Sequence, residues 1–243
     1  MRKKEYLIFE ERFKEDSTVY YSGSGKGIHH FIDLYENGDL YVGDSPDMVL
    51  MHDNYAIIME HFQFDSYPVH KKKGSMRARE EARIDRVYDE KPASEEGVIF
   101  HDQIRVNNSY EDYVNNVCKN FVDHYNKIEQ YKRNLVASGL VAECTSTKMM
   151  FVIEDVSKLG TYVLNEQKEL LPLYLSQCRE FLSLLSRSPM VDYVLCFASA
   201  GGNDYACFID REDLSFYEED ACDYANMRFL PIKPRIIMLK KNM

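Results

Sequence analysis

Asp47-Met-Val-Leu-Met-His-Asp-Asn-Tyr-Ala-Ile-Ile-Met-Glu60 is the stretch whose reading decides the fold. Two apolar runs, Met48-Val-Leu-Met51 and Tyr55-Ala-Ile-Ile-Met59, flank Asp53-Asn54, a pair that suits a two-residue hairpin turn needing positive φ. Such a turn sets His52 opposite Tyr55 and Met51 opposite Ala56. Continued outward, the same register sets Asp47 opposite Glu60 on one face. Directly opposed residues in an antiparallel pair have Cβ atoms about 4.5–5.5 Å apart. Carboxylates that close repel each other, and more so in a strand pair apolar on both faces. A shared proton, a nearby Lys or Arg, or a divalent cation has to neutralise them. Paired carboxylates on a rigid element suit Mg²⁺ or Mn²⁺.

Outward from the hairpin the chain reads as strand pair, long helix, strand, helix, strand pair. From Ser109 the positions Tyr110, Tyr113, Val114, Val117, Phe121, Tyr125, Ile128, Tyr131 and Leu135 step by three or four and predict one continuous helix. Ser109 with Asp112 gives it a capping-box start, and Gly139 lies past its end. Met149-Met-Phe-Val-Ile153 has the length of a buried strand. A second amphipathic helix is expected to open near Pro172, to carry Leu173, Cys178, Phe181, Leu182 and Leu185, and to stop at Ser188-Pro189. Tyr193-Val-Leu-Cys-Phe197 and Tyr205-Ala-Cys-Phe-Ile209, around Gly201-Gly202-Asn203-Asp204, make a further hairpin. The order implies one α/β domain over 1–243, a mixed central sheet flanked by helices. Glu5 to Phe13 could be helix or strand, Gly27 to Glu36 reads as a short helix ended by Asn37-Gly38, and about 69–97 as an exposed charged excursion with a short helix near Arg79 to Val87.

Ser45-Pro46-Asp47, the apolar hairpin and Ile57-Ile58-Met59-Glu60 together resemble the core signature of the PD-(D/E)XK superfamily, the restriction-endonuclease-like nucleases. In that superfamily a Pro-Asp begins one strand, an acidic residue ends the next, and a lysine follows two positions later. The resemblance covers about 16 residues and the helix after the hairpin. It implies a restriction-endonuclease-like core, Mg²⁺- or Mn²⁺-dependent phosphodiester hydrolysis, nucleic acid as partner, and Asp47 and Glu60 as the catalytic metal ligands, with water activated at the metal.

The sequence departs from the pattern at the lysine. Within Glu60-His61-Phe62 that place is held by Phe62, which points to the same face as Glu60, while His61 points the other way. Replacement bases are sought in Lys71-Lys72-Lys73 and in Lys26, His29 and His30; Asp33 and Glu36 are the counterparts offered for the superfamily's further helical acid. Two functions stay open: a metal-dependent nuclease with a migrated base, or a non-catalytic interaction or regulatory protein that retains the nuclease-like fold. Phe62 and the acidic balance motivate the second.

The remaining signals narrow the classes. The 243 residues include 30 Lys and Arg against 40 Asp and Glu, and a net charge of −10 opposes a general nucleic-acid coat protein. The 45 % hydrophobic content excludes disorder as the dominant state. Glu10, Glu11 and Glu15 interrupt the basic start before a signal-length apolar segment forms, and no run approaches the roughly 18 apolar residues of a membrane span. A cytoplasmic location with no membrane partner is the expectation. Cysteines 118, 144, 178, 196, 207 and 222 show no metal or redox spacing and read as small buried hydrophobes.

Lys71 to Arg86 is the concentrated basic segment, but Glu80, Glu81 and Asp85 interleave with it. Ser22-Gly-Ser-Gly-Lys26-Gly27 invites a phosphate-loop reading, yet lacks the nucleotide-binding spacing, so a flexible loop is favoured. Asp65 falls on the opposite face from Glu60 if its strand is regular. Glu154-Asp155 leaves a strand at its carboxyl end, where α/β proteins bind ligands, but strand neighbours point apart and would need a bend to share a metal.

Overall fold

A computed structural model describes residues 19–70, 74–90, 98–103, 108–142, 144–157, 162–200, 203–230 and 235–240. The expectations for Glu5 to Phe13 and for Lys71-Lys72-Lys73 fall outside these residues.

The predicted hairpin forms, with β3 at Met48–His52 and β4 at Tyr55–Phe64, and Asp53 takes a positive φ of 51° in the turn. Its register pairs His52 with Tyr55, Met51 with Ala56 and Met48 with Met59. Around it the described chain holds β1 (Val19–Tyr20), β2 (Asp39–Val42), β5 (Val69–His70), β6 (Gly74–Ser75), β7 (Val98–Gln103), β8 (Ser146–Asp155), β9 (Tyr162–Leu164), β10 (Leu170–Pro172), β11 (Tyr193–Ala200), β12 (Asn203–Asp210), β13 (Arg228–Leu230) and β14 (Arg235–Lys240). The α-helices are α1 (Lys26–Asn37), α2 (Met76–Glu90), α3 (Tyr110–Tyr125), α4 (Ile128–Ala137), α5 (Arg179–Ser186) and α6 (Leu214–Glu219). Seven strands form one mixed sheet in the order β1-β12-β11-β8-β4-β3-β2. Its middle is parallel, with β4 and β11 on either side of β8; antiparallel hairpins follow on both flanks, and β1 adds to β12 in parallel at one edge.

Period-two alternation sends successive side chains of each strand to opposite faces, and each face buries its own apolar layer. Met48, Leu50, Ile57 and Met59 meet Ile28, Phe31 and Leu34 of α1. Val49, Ile58 and Phe62 meet Tyr113, Val117 and Phe121 of α3, Ile128, Tyr131 and Leu135 of α4, and Phe181 of α5. No helix of the described residues is long and apolar enough to cross a membrane.

Two helix predictions need correction. The expected single helix from Ser109 is two helices, α3 and α4, broken at Asn126 and Lys127. The apolar stripe runs on across the break, so spacing alone hid it; Ser109 does cap α3, accepting the Asp112 N–H at 3.1 Å. The second helix does not open at Pro172, which ends β10; a 3₁₀ turn at Leu175–Gln177 precedes α5, which begins at Arg179. Pro172 pairs with Tyr162 on the edge of a small sheet, a place that tolerates a residue without an N–H. Cys178, Cys196 and Cys207 are buried as expected, whereas Cys144 is exposed.

The Ser22–Gly27 loop is tied down by the chain's own carboxylates. Asp213 Oδ2 accepts the Ser24 N–H at 2.9 Å and the Ser24 hydroxyl at 2.8 Å. Gly27, in the first turn of α1, lies so close to the Asp210 carboxylate and the Tyr193 ring that a Cβ has no room. Acidic side chains thus occupy the ground a phosphate would need. Gly27→Ala is expected to destabilise by about 1–3 kcal/mol in urea unfolding, because overpacking outweighs the better helix propensity of alanine. A stabilised variant would mean that Asp210 moves aside without cost.

Candidate functional site

β4 outruns its partner. β3 begins at Met48, opposite Met59, so Glu60 to Phe64 extend past the hairpin pairing while β8 continues to pair on the other side as far as Phe64 with Asp155. An unpaired strand edge leaves backbone polar groups that need partners. Side chains supply them. The His61 N–H donates to Asp47 Oδ2 at 2.9 Å, Asn120 Nδ2 donates to the Gln63 carbonyl at 3.1 Å, and Asn116 Nδ2 donates to the Asp65 and Tyr67 carbonyls, both at 2.7 Å. Asn116, Asn120 and His124 recur every four residues on α3, so one polar seam of the helix follows the free edge of β4.

The last member of that seam reaches Glu60. Extending the observed register by one pair sets Asp47 opposite Glu60, and the Asp47 carboxylate sits at the neighbouring His61 amide. Glu60 is buried, its side chain 10 % exposed. Its Oε1 accepts the Tyr131 hydroxyl at 2.7 Å and lies 3.0 Å from His124 Nδ1. Burial, and after it the hydrogen bond to Glu60, holds the Tyr131 phenol well above its usual range, so it remains a proton donor toward the carboxylate. Glu60 Oε2 is buried and has no hydrogen-bond partner among the described residues.

The replacement bases offered on α1 do not come near. Lys26, His29 and His30 are exposed on the helix that covers the opposite face, and Asp33 and Glu36 share that helix, Asp33 accepting the Asn37 amide at 3.0 Å. The basic group that meets Glu60 is His124, which the sequence presented as one scattered histidine among seven. Phe62, two positions after Glu60, stacks on the His124 ring with centroids 4.6 Å apart and planes 12° from parallel. An aromatic residue two positions after Glu60 and a histidine on the same helix as the apolar stripe were the available signals. Nothing in their spacing joined them. Glu60 also lies inside β4 and not at its end, since the strand runs on to Phe64.

On the opposite face His61, its side chain 6 % exposed, lies 3.5 Å from Glu154 Oε2, which also accepts Gln63 Nε2 at 2.6 Å. Asp155 turns away from Glu154, as strand alternation requires, and its Oδ1 accepts the Ser157 N–H at 2.8 Å. The two therefore do not converge on one point. Asp65 accepts Arg77 Nε at 3.1 Å and the Tyr67 N–H at 3.0 Å.

Burial pushes the Asp155 carboxyl up to about 6, only partly offset by the Ser157 hydrogen bonds. A carboxyl raised in the folded state binds its proton more tightly there than in the unfolded chain. Stability therefore falls as pH climbs from about 4 to about 6 and then levels off. Asp155→Asn is expected to gain on the wild type by on the order of 1–2 kcal/mol between pH 3.5 and 7, the partial exposure of the residue moderating the effect. Urea unfolding of both proteins at the two pH values checks this; an unchanged difference would place the titration elsewhere.

Compared with family models, curated proteins and solved structures, the chain matches none.

Proposed function

We propose that the chain is a divalent-metal-dependent nuclease with a restriction-endonuclease-like core, in which Asp47 and Glu60 hold the ion. The observation that carries this reading is Glu60 Oε2, a buried carboxylate oxygen without a hydrogen-bond partner among the described residues, beside the strand that Asp47 enters. Such an oxygen costs on the order of 1–3 kcal/mol or more, so its retention points to a partner from outside the chain.

The donors suit a hard cation. Mg²⁺ takes one or two carboxylates and keeps several waters, so two acidic side chains meet its needs. Among the described residues no group of three or more His, Cys, Asp or Glu side chains is placed to hold an ion by protein ligands alone. When bound, the ion polarises a phosphoryl oxygen and acidifies a coordinated water. The chain's own residues do the positioning: Tyr131 and His124 hold Oε1 and thereby aim Oε2, and the His61 amide orients Asp47. Pro46-Asp47 leading into β3, with Glu60 in the adjoining β4, supports the superfamily assignment.

Purified protein incubated with labelled single- and double-stranded DNA and RNA is expected to cleave at least one of them in Mg²⁺ or Mn²⁺ and none in EDTA. A second reading, a non-catalytic interaction protein with a nuclease-like fold, is favoured by one observation, the Phe62–His124 stack that fills the lysine's place. It predicts no calorimetric heat with millimolar Mn²⁺ and no nucleic-acid binding that weakens with salt.

A further inference from the structure

The polar seam of α3 leads from Glu60 to a second feature. Where the free edge of β4 ends, a cavity of about 290 Å³ opens, lined by Gln63, Phe64, Asp65, Arg77, Lys119 and Asn120 among others. It lies at the carboxyl ends of the parallel strands β4 and β8, where open α/β sheets offer a crevice to ligands.

Arg77, its side chain only 13 % exposed, is anchored by Asp65 and by Glu81, each at 3.1 Å. Those bonds use its Nε and one hydrogen of Nη1, which leaves guanidinium donors for a further acceptor. Lys119 lines the same cavity from α3, is exposed, and has no carboxylate partner among the described residues. In a protein with a net charge of −10, two cations, Arg77 and Lys119, here meet two acids, Asp65 and Glu81, so the cavity is locally balanced, and Lys119 is the cation that these carboxylates do not already hold. The fixed, forked guanidinium and the mobile ammonium together match the tetrahedral oxygens of a phosphate.

We propose that this cavity binds a phosphate group, with Arg77 as the fixed donor and Lys119 as the adaptable one. From Glu60 to Phe64 the strand covers about 13 Å, so a phosphate held in this cavity lies roughly that far from Glu60, a spacing that a phosphodiester chain can span. That use of the spacing rests on the nuclease reading; the phosphate site itself does not.

The test is made in EDTA, where binding is read without turnover. Fluorescence anisotropy with a short labelled single-stranded DNA measures affinity across a salt series, and amide chemical shifts report inorganic phosphate. Lys119→Glu is expected to weaken binding of the DNA by about tenfold and to reduce the salt slope by about 1. Lys127→Glu makes the same charge change on an exposed residue outside the cavity, and is expected to stay within about twofold. Binding of both probes, each weakened by Lys119→Glu, assigns the cavity to a backbone phosphate of nucleic acid. Phosphate bound without the DNA keeps the site and assigns it to free phosphate or its small esters. If neither probe binds, or if both lysine variants weaken binding equally, the proposal fails. Because metal plays no part here, a chain that binds but never cleaves overturns the nuclease reading and leaves this one standing.

Discussion

Glu60→Gln is expected to reduce metal-supported cleavage by on the order of 10²–10³-fold, and Asp47→Asn by a similar factor. Each substitution removes one of the two anionic ligands on which the ion depends, and several kcal/mol of transition-state stabilisation go with the ion. Glutamine keeps an oxygen that can still accept the Tyr131 hydroxyl, so the fold under α3 and α4 survives the change. Unfolding curves beside the cleavage assay establish that. His124→Ala acts at one remove, since it leaves both ligands in place and loosens only the hold on Oε1; a loss of about 10–100-fold, recovered in part at higher metal concentration, is the expected signature of a positioning role. The non-catalytic reading predicts a different pattern. With no ion to lose, Glu60→Gln relieves the repulsion with Asp47 and raises stability, and no activity is present in any variant. Cleavage that persists in both carboxylate variants would remove Asp47 and Glu60 from the chemistry altogether.

Phe151→Ala is expected to cost about 3–5 kcal/mol, the largest stability loss among the changes considered. Phe151 is fully buried in β8, and its ring meets Phe121 edge-on at 5.1 Å, Phe62 at 5.5 Å and His124 at 6.4 Å. Removing it leaves a void between the sheet and α3, in a layer where neighbours relax only in part. The loss should appear as a lower urea midpoint with an unchanged slope. Phe216→Ala serves as the contrast, since its 46 % exposed side chain predicts an effect within about 0.5 kcal/mol. A cost under about 2 kcal/mol at Phe151 would mean that α3 settles onto the sheet when the ring is gone, and that His124 is less firmly placed than the packing indicates.

Much of the sheet could be read along the chain. The Asp53-Asn54 turn, the pairing of Met48 with Met59 and the opposite faces of Phe62 and His61 follow from a turn length and a period of two, which are local properties of a few consecutive residues. The hairpin of β11 and β12 was visible for the same reason. The break between α3 and α4 was not, because Tyr125, Ile128 and Tyr131 keep helical spacing on both sides of it and no Gly or Pro marks the place. Pro172 misled because its residue type fits a helix start as well as a sheet edge, and only the neighbouring strand decides between them.

The candidate site divides along the same line. The hairpin register, which carried one pair further sets Asp47 opposite Glu60, was legible in the sequence alone, since one tight turn suffices to align its strands. What meets Glu60 was decided by tertiary structure. His124 and Tyr131 lie 64 and 71 residues away in the chain, and they converge on one carboxylate oxygen only because α3 and α4 fold back over the face of β4. A buried charge takes its partners from whatever the packing brings within hydrogen-bond reach, and no spacing along the chain encodes that distance.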